Sequence, residues 1–143
     1  MTIAVAQNDS PEGQAALLHA AREAALQQVP LAVLHVLEFD QADTEQHQNA
    51  MSREIQHALV TAGVTTLDWS LYTATDVDGR SAALVALTEQ VGADLLVIGS
   101  RRRTPIGKFL LGSTVQRVVL DSPVPVLVVK AAPRTDEPVT GGS

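Results

Sequence analysis

The sequence has no cysteine, few aromatic residues and no long hydrophobic run, and each absence excludes a class of protein. None of the 143 residues is a cysteine, which rules out disulfides, thiolate metal sites and thiol catalysis. Trp69 is the single tryptophan, and alone it cannot form a platform on which nucleic-acid bases stack. No stretch approaches the roughly 20 apolar residues of a membrane-spanning helix. The first residues also lack a basic segment followed by a cleavage site, so we expect a cytoplasmic protein with no membrane partner.

The charge and composition favour one acidic globular domain. The formal net charge of −6 argues against a nucleic-acid partner, because nucleic-acid binders present basic surfaces. With 45% apolar residues, a chain of this length can bury a substantial core. We expect a single domain over residues 1–130. Residues 131–143 lack apolar periodicity and contain prolines and glycines, which predicts a disordered tail.

Strand-like and helix-like segments alternate strictly along the chain. The predicted strands cover residues 3–6, 31–37, 66–73, 95–98 and 126–129. Helical spacing of apolar residues separates them, with a first helix beginning at Pro11 and later helices around residues 51–62, 84–91 and 115–119. The third strand alternates apolar and polar residues and should lie at a sheet edge. The pattern predicts an α/β fold, a three-layer α/β/α sandwich around a five-stranded parallel sheet of order 3-2-1-4-5.

This strand order predicts where a ligand binds. The direction of winding reverses between strands 1 and 4, and ligands bind at the carboxyl ends of strands beside such a switch point. Those ends are residues 7–10 and 99–113. The predicted topology therefore points to two short segments that are far apart in the sequence.

The second segment, GSRRRTPIGKFLLGS, resembles a phosphate-binding loop between a strand and a helix. Gly99 would allow a sharp exit from the strand, and Gly112, Ser113 and Thr114 would offer N–H and hydroxyl donors at the start of the next helix. A structural alternative remains open, in which Gly99 and Gly107 only permit turns and Ser113 only caps the helix.

The arginine triplet in this loop also has two interpretations. Arg101, Arg102 and Arg103 could clamp phosphates through bidentate hydrogen bonds, or they could be solvated surface residues. Gly107-Lys108 is not the end of a P-loop, because the required earlier glycine and the Ser or Thr after the lysine are missing. No dinucleotide GxGxxG pattern follows any predicted strand either.

Few residues suggest catalysis. His35 lies inside an apolar strand and is expected to be a hydrogen-bonded core residue, whereas His19, His47 and His57 are expected on helix surfaces. No pair of histidines has the spacing of a helical metal site, and no GxSxG sequence would activate a serine. We therefore predict neither catalytic residues nor a protein-bound metal.

Five segments together resemble the universal stress protein family, from Ile3 to about Lys130. They are SPEGQAAL, LHV, GADLLVIGSR, LLGSTVQRVV and SPVPVLVV. The resemblance implies the same five-stranded α/β sandwich and a homodimer formed through strand 5, here Val126 to Val129. It also implies ATP binding in many members, through a motif of Gly, two residues, Gly, nine residues, then Gly-Ser or Gly-Thr.

The chain departs from this motif at two positions. Gly99 and Gly112-Ser113 match, but Arg102 stands where the middle glycine is expected. In ATP-binding members an aspartate typically ends strand 1, and here Asn8 takes its place with Asp9 following. The predicted cofactor-binding residues are Asn8, Asp9, Ser10, Val36, Gly99, Arg101, Arg102, Gly112, Ser113 and Thr114.

The leading hypothesis from the sequence is a dimeric stress-response sensor or regulator that binds ATP or another adenine nucleotide, with Mg²⁺ as a candidate companion. Hydrolysis of ATP would be slow at most. A second hypothesis is an interaction module that binds an unknown protein and no nucleotide, because Arg102 blocks the site. A third, a hydrolase or nucleotidyl-transfer enzyme, lacks an evident general base.

Overall fold

The computed structural model describes residues 1–101 and 111–131, in which strands and helices alternate as predicted. The strands are β1 (Ile3–Ala6), β2 (Leu31–Leu37), β3 (Trp69–Thr75), β4 (Leu95–Ser100) and β5 (Val126–Lys130). The helices are α1 (Pro11–Gln27), α2 (Glu45–Thr61), α3 (Arg80–Gln90) and α4 (Ser113–Asp121). The predicted tail falls almost wholly outside the described residues.

The five strands form one parallel sheet in the order β3-β2-β1-β4-β5, which confirms the predicted fold class. The central strand β1 pairs on both sides, so that Ile3 lies beside Leu31 on β2 and beside Leu95 on β4. All four residues of β1 are buried. The short apolar run at the start of the chain is thus the middle of the sheet, covered on both faces as parallel strands usually are.

Each face of the sheet has its own apolar core. On one face Val5 and Val33 pack with Leu17 of α1 and Ile55 of α2. On the other face Leu34 and Ile98 pack with the helices α3 and α4. The two cores hold the carboxyl ends of the strands in a fixed arrangement.

The third strand differs from its predicted range of residues 66–73. It begins three residues later and extends to Thr75, because its register is set by β2, with Leu31 opposite Trp69 and Leu37 opposite Thr75. The predicted edge position is confirmed by the strand order. Alternation of apolar and polar residues identified the edge, but only pairing with β2 fixes the strand's ends.

The helices begin with different kinds of cap. Side-chain oxygens of Ser10 and Thr44 accept from backbone N–H groups in the first turns of α1 and α2, at 3.0 and 3.1 Å. The N-caps of α3 and α4 are Gly79 and Gly112, which provide no side-chain cap. None of the helices in the described ranges is long and apolar enough to cross a membrane.

Candidate functional site

A cleft of about 400 Å³ opens at the carboxyl ends of β1 and β4, where the topology predicted a ligand. We call it the larger cleft. Gln7 and Asn8 reach it from the end of β1, Val36 from β2 and Gly99 from β4, while Gly112 reaches it from the start of α4. Segments separated by about a hundred residues therefore form one depression across the switch point.

Most of the predicted site residues line this cleft. They are Asn8, Val36, Gly99, Arg101, Gly112, Ser113 and Thr114. Asp9 instead lines an adjoining depression of about 320 Å³, which we call the smaller cleft. Ser10 is in neither lining, because its hydroxyl caps α1. Arg102 lies outside the described residues, as do Arg103, Gly107 and Lys108.

A hydrogen-bond network fixes Asn8 at the cleft. Its Oδ1 accepts from the backbone N–H of Ser10 at 2.9 Å and from the Ser10 hydroxyl, which in turn accepts from the N–H of Gly13 at 3.0 Å. The N–H of Ser10 can only donate, so the atom it meets on Asn8 must be the oxygen. Asn8 therefore offers the cleft an amide NH₂ group, a hydrogen-bond donor.

Gly13 makes this network possible, and sequence reasoning missed it. A Cβ at Gly13 would lie 2.2 Å from Asn8 Oδ1 and 2.7 Å from the Asn8 carbonyl oxygen. Only a glycine leaves room for the Asn8 side chain against the first turn of α1. The sequence offered one signal, a glycine three residues after the helix cap Ser10. Glycine is unfavourable within a helix, so its presence there indicates a packing requirement.

Gly99 has a packing role as well as its place in the cleft. A Cβ on Gly99 would lie 2.1 Å from the backbone oxygen of Glu12 and 2.4 Å from its carbonyl carbon. The first turn of α1 thus presses directly on the backbone of β4. Because the collision would be with backbone, no side-chain rotation could relieve it.

Gly112 lies in quite different surroundings. Its φ of −64° suits any residue. A Cβ there would have no atom of the protein within 4 Å among the described residues. The structure also corrects the alternative in which Ser113 caps the helix, since Gly112 is the N-cap and Ser113 begins α4. The first turn of α4 therefore presents N–H groups to the cleft, and no side chain of the described residues caps them.

Two histidines approach each other beneath the clefts. His35 is half-buried, and its Nδ1 lies 2.9 Å from Oε1 of Gln7, so the predicted hydrogen bond is present but the ring borders both clefts. Burial lowers the pKa of His35 below its ordinary value, and a hydrogen bond with the backbone of Gln7 opposes this with a smaller effect. The ring of His47 lies 6.2 Å away, between centroids.

His47 is therefore not the surface residue that the sequence predicted. It is half-buried, and its Nε2 is enclosed without a hydrogen-bond partner among the described residues. No group of three or more His, Asp or Glu side chains in residues 1–101 and 111–131 is placed to hold a metal ion. His35 and His47 therefore form a pair of neighbouring imidazoles in the wall of the smaller cleft.

Among residues 1–101 and 111–131, the charged residues that line the larger cleft are two arginines and one glutamate. Glu12 has a side chain only 15% exposed, and its Oε2 lies 3.7 Å from Nε of the exposed Arg101. Arg80, the first residue of α3, lines both clefts. Sequence reasoning did not select Glu12 or Arg80, because both lie outside the segments 7–10 and 99–113 that the topology identified. The signal for Arg80 was its place after Gly79, in the connection that follows β3.

Comparisons with known proteins agree with this fold. The family model described as the universal stress protein family matches residues 1–130. A universal stress protein of Mycolicibacterium smegmatis is 34% identical over 129 residues, which cover 90% of this chain and 96% of that protein.

Two solved structures of universal stress proteins contain a nucleotide. One, a complex with cAMP, is 27% identical with a TM-score of 0.66, covering 92% of this chain and 98% of the other. The other, from Archaeoglobus fulgidus in complex with dAMP, is 25% identical with a TM-score of 0.65, covering 91% and 98%. With the family model matching nearly the whole described chain, the chain belongs to the universal stress protein family.

Proposed function

We propose that this protein binds an adenine nucleotide in the larger cleft and acts as a nucleotide-dependent sensor or regulator. The observation that carries the proposal is the open first turn of α4, where a methyl group added at Gly112 would have no protein atom within 4 Å among the described residues. Universal stress proteins of similar fold are found with cAMP and with dAMP. A helix N-terminus with free N–H groups favours a phosphate.

The remaining cleft residues suit the other parts of a nucleotide. Phosphate oxygens would accept from the N–H groups at Gly112, Ser113 and Thr114. Val36, which is 8% exposed, offers an apolar surface to the base. Asn8 would donate its amide to an oxygen or ring nitrogen of the ligand. Magnesium would arrive with the phosphates, because ions of this kind often bind through substrate phosphates and water.

A binding role fits these residues better than catalysis. Glu12, the carboxylate of the larger cleft among the described residues, is engaged by Arg101 at 3.7 Å and is therefore not free to act as a general base. His35 is held by Gln7. We therefore expect at most slow hydrolysis of ATP, and turnover well above a buffer blank that is lost in Gly112→Val would contradict this expectation.

Ligand-dependent thermal unfolding tests the binding proposal. ATP, ADP, AMP and cAMP, each at millimolar concentration with and without Mg²⁺, should include at least one that raises the unfolding midpoint. A ligand at a hundredfold excess over its Kd stabilises the folded state by about 2.7 kcal/mol. Gly112→Val should abolish the rise. Arg117→Gln, on the exposed side of the same helix, should keep it.

The result that would refute the proposal is no change of midpoint with any of these nucleotides in the unaltered protein. The hypothesis of an interaction module that binds a protein and no nucleotide would then account better for the chain. Denaturing the purified protein and analysing the supernatant by absorbance and mass gives a second readout, since a co-purified adenine nucleotide would support the proposal directly.

We further propose that two copies pair through β5, as the family resemblance implies. β5 is an edge strand, and it includes Leu127, a large apolar residue that is 36% exposed. Leu96 N–H donates to the Pro125 carbonyl, so residue 125 points its polar groups towards β4. Because successive residues of a strand point their N–H groups to opposite sides, the N–H of Val128 points to the outer edge and is available to a second copy.

A further inference from the structure

Arg80 places a positive charge at the boundary between the two clefts. It begins α3, and Leu84, one helical turn later on the same face, lines the larger cleft too. The pKa of His35, another residue of the cleft wall, also reflects the charge of Arg80. Burial is the main cause that lowers this pKa, and the positive charge of Arg80 lowers it as well. Arg80 is thus an exposed residue that lines both clefts, where a bound anion can reach it.

No carboxylate of the described residues neutralises Arg80. The ion pairs within residues 1–101 and 111–131 are Arg101–Glu12 and Arg117–Asp121, and Arg80 takes part in neither. Although Asp9, Glu38 and Glu54 line the smaller cleft, none of them pairs with it. If Arg80 served only to neutralise Asp9, Glu38 and Glu54, it should form an ion pair with one of them. The described residues show no such ion pair.

The two clefts consequently differ in charge. The larger cleft has Arg80 and Arg101 against Glu12, together with the positive end of the α4 dipole. The smaller cleft has three carboxylates against Arg80. In a protein of net charge −6, the larger cleft is thus a local basic site. An anionic group would therefore bind in the larger cleft in preference to the smaller one.

We propose that Arg80 is a specificity-determining residue that binds the phosphate of the ligand opposite the first turn of α4, so that the cleft takes phosphorylated ligands in preference to the uncharged nucleoside. A guanidinium group can give two parallel hydrogen bonds to phosphate oxygens. The first residues of α4 line the same cleft, so their N–H groups would add donors to the same phosphate. The inference rests on the proposed function, because it assigns the anionic part of that ligand.

Calorimetric titration of adenosine, AMP and ATP into the purified full-length protein tests this role. Arg80→Gln should weaken the binding of AMP and ATP about tenfold or more, since hydrogen bonds to charged groups are lost. Binding of adenosine should change by less than about twofold, because no charge is involved. Arg80→Lys, which keeps the charge but not the paired donors, should fall between the two. Arg53→Gln is the matched control, because it removes an equal charge from an exposed position of α2 outside both clefts.

Two outcomes would overturn the inference while leaving the proposed function intact. One is AMP affinity in Arg80→Gln equal to that of Arg53→Gln, which would make Arg80 a solvated surface residue. The other is an equal loss of adenosine and AMP binding, which would indicate a role in shaping the cleft.

Tripolyphosphate, which has no base or sugar, separates the failure of the inference from the failure of the proposed function. If the unaltered protein binds tripolyphosphate but none of the adenine compounds, nucleotide binding is refuted. Loss of tripolyphosphate binding in Arg80→Gln would then still support the assignment of the anion site. Unchanged tripolyphosphate binding in that variant would overturn it.

Discussion

The two glycines of the predicted phosphate loop should respond in opposite ways to the addition of a single methyl group. In Gly99→Ala the new Cβ would lie 2.1 Å from the Glu12 carbonyl oxygen, so α1 must move by about 1 Å or β4 must distort. In Gly112→Ala the methyl group meets nothing within 4 Å among the described residues, and the φ of −64° needs no glycine. One change should damage the fold and the other should damage only ligand binding.

The expected magnitudes differ enough to measure. Overpacking against backbone costs about 3 kcal/mol, at the upper end of the usual range, because no flexible side chain can yield. At about 3 °C for each kcal/mol in a domain of this size, the unfolding midpoint of Gly99→Ala should fall by about 10 °C. For Gly112→Ala, a small loss from the poorer N-cap opposes a small gain from reduced chain entropy, so the midpoint should stay within about 3 °C.

The assay is thermal unfolding followed by circular dichroism, with and without a saturating nucleotide. Gly112→Ala should lose most of the ligand-induced rise in midpoint, whereas Gly99→Ala should start from a lower midpoint in the absence of ligand. A midpoint for Gly99→Ala equal to that of the unaltered protein would refute the packing argument. A large fall for ligand-free Gly112→Ala would refute the claim that the space beside it is open.

Three further predictions concern residues around the cleft and the sheet edge. Gly13→Ala should lower the free energy of unfolding by about 1–3 kcal/mol in urea titrations, because its Cβ would collide with Asn8; no loss would mean that Asn8 can move aside. Because the pKa of His35 is lowered below 6.5 on folding, the unfolded chain binds its proton more readily, and stability should fall as the pH drops through the interval below 6.5. Urea titrations at about pH 7.5 and about pH 5.5 should show a smaller difference for His35→Gln than for the unaltered protein, and an equal difference would contradict the assignment. Val128→Pro should shift sedimentation from dimer to monomer while the circular dichroism spectrum is kept, because proline removes an outward N–H that β4 does not use; a stable dimer in this variant would exclude pairing through that edge.

The sequence was sufficient for the fold because each element carried its own signal. The apolar runs 3–6 and 31–37 match β1 and β2 residue for residue, and Ser10-Pro11 marks the start of α1. The bounds of other elements differ from the prediction, as in β4, which continues to Ser100, and in β3, whose ends depend on pairing with β2 and not on its own composition. Alternation along a strand indicates which face is buried, but the partner strand decides where pairing stops.

Only the part of the candidate site that the strand order determines could be predicted from the sequence. The carboxyl ends of β1 and β4 were identifiable because the order of elements dictates the switch point. Arg80 and Glu12 were not selected, since each lies in the first turn of a helix and reaches the cleft through the packing of that helix on the sheet. The burial of His47 likewise depends on how the first turn of α2 meets β2, which no local pattern encodes.

Asn8 shows how a conservative difference in sequence can replace a hydrogen-bond acceptor with a donor. At the position where the family resemblance implies an aspartate, one oxygen is already committed to the Ser10 N–H and hydroxyl. An aspartate in the same network would present its second oxygen to the cleft as an acceptor, whereas Asn8 presents an amide that donates. In the proposed complex, the ligand atom facing Asn8 would therefore accept a hydrogen bond. Arg80 and the N–H groups of α4 would add donors for the phosphate, so the contacts that we propose all run from a protein donor to a ligand acceptor.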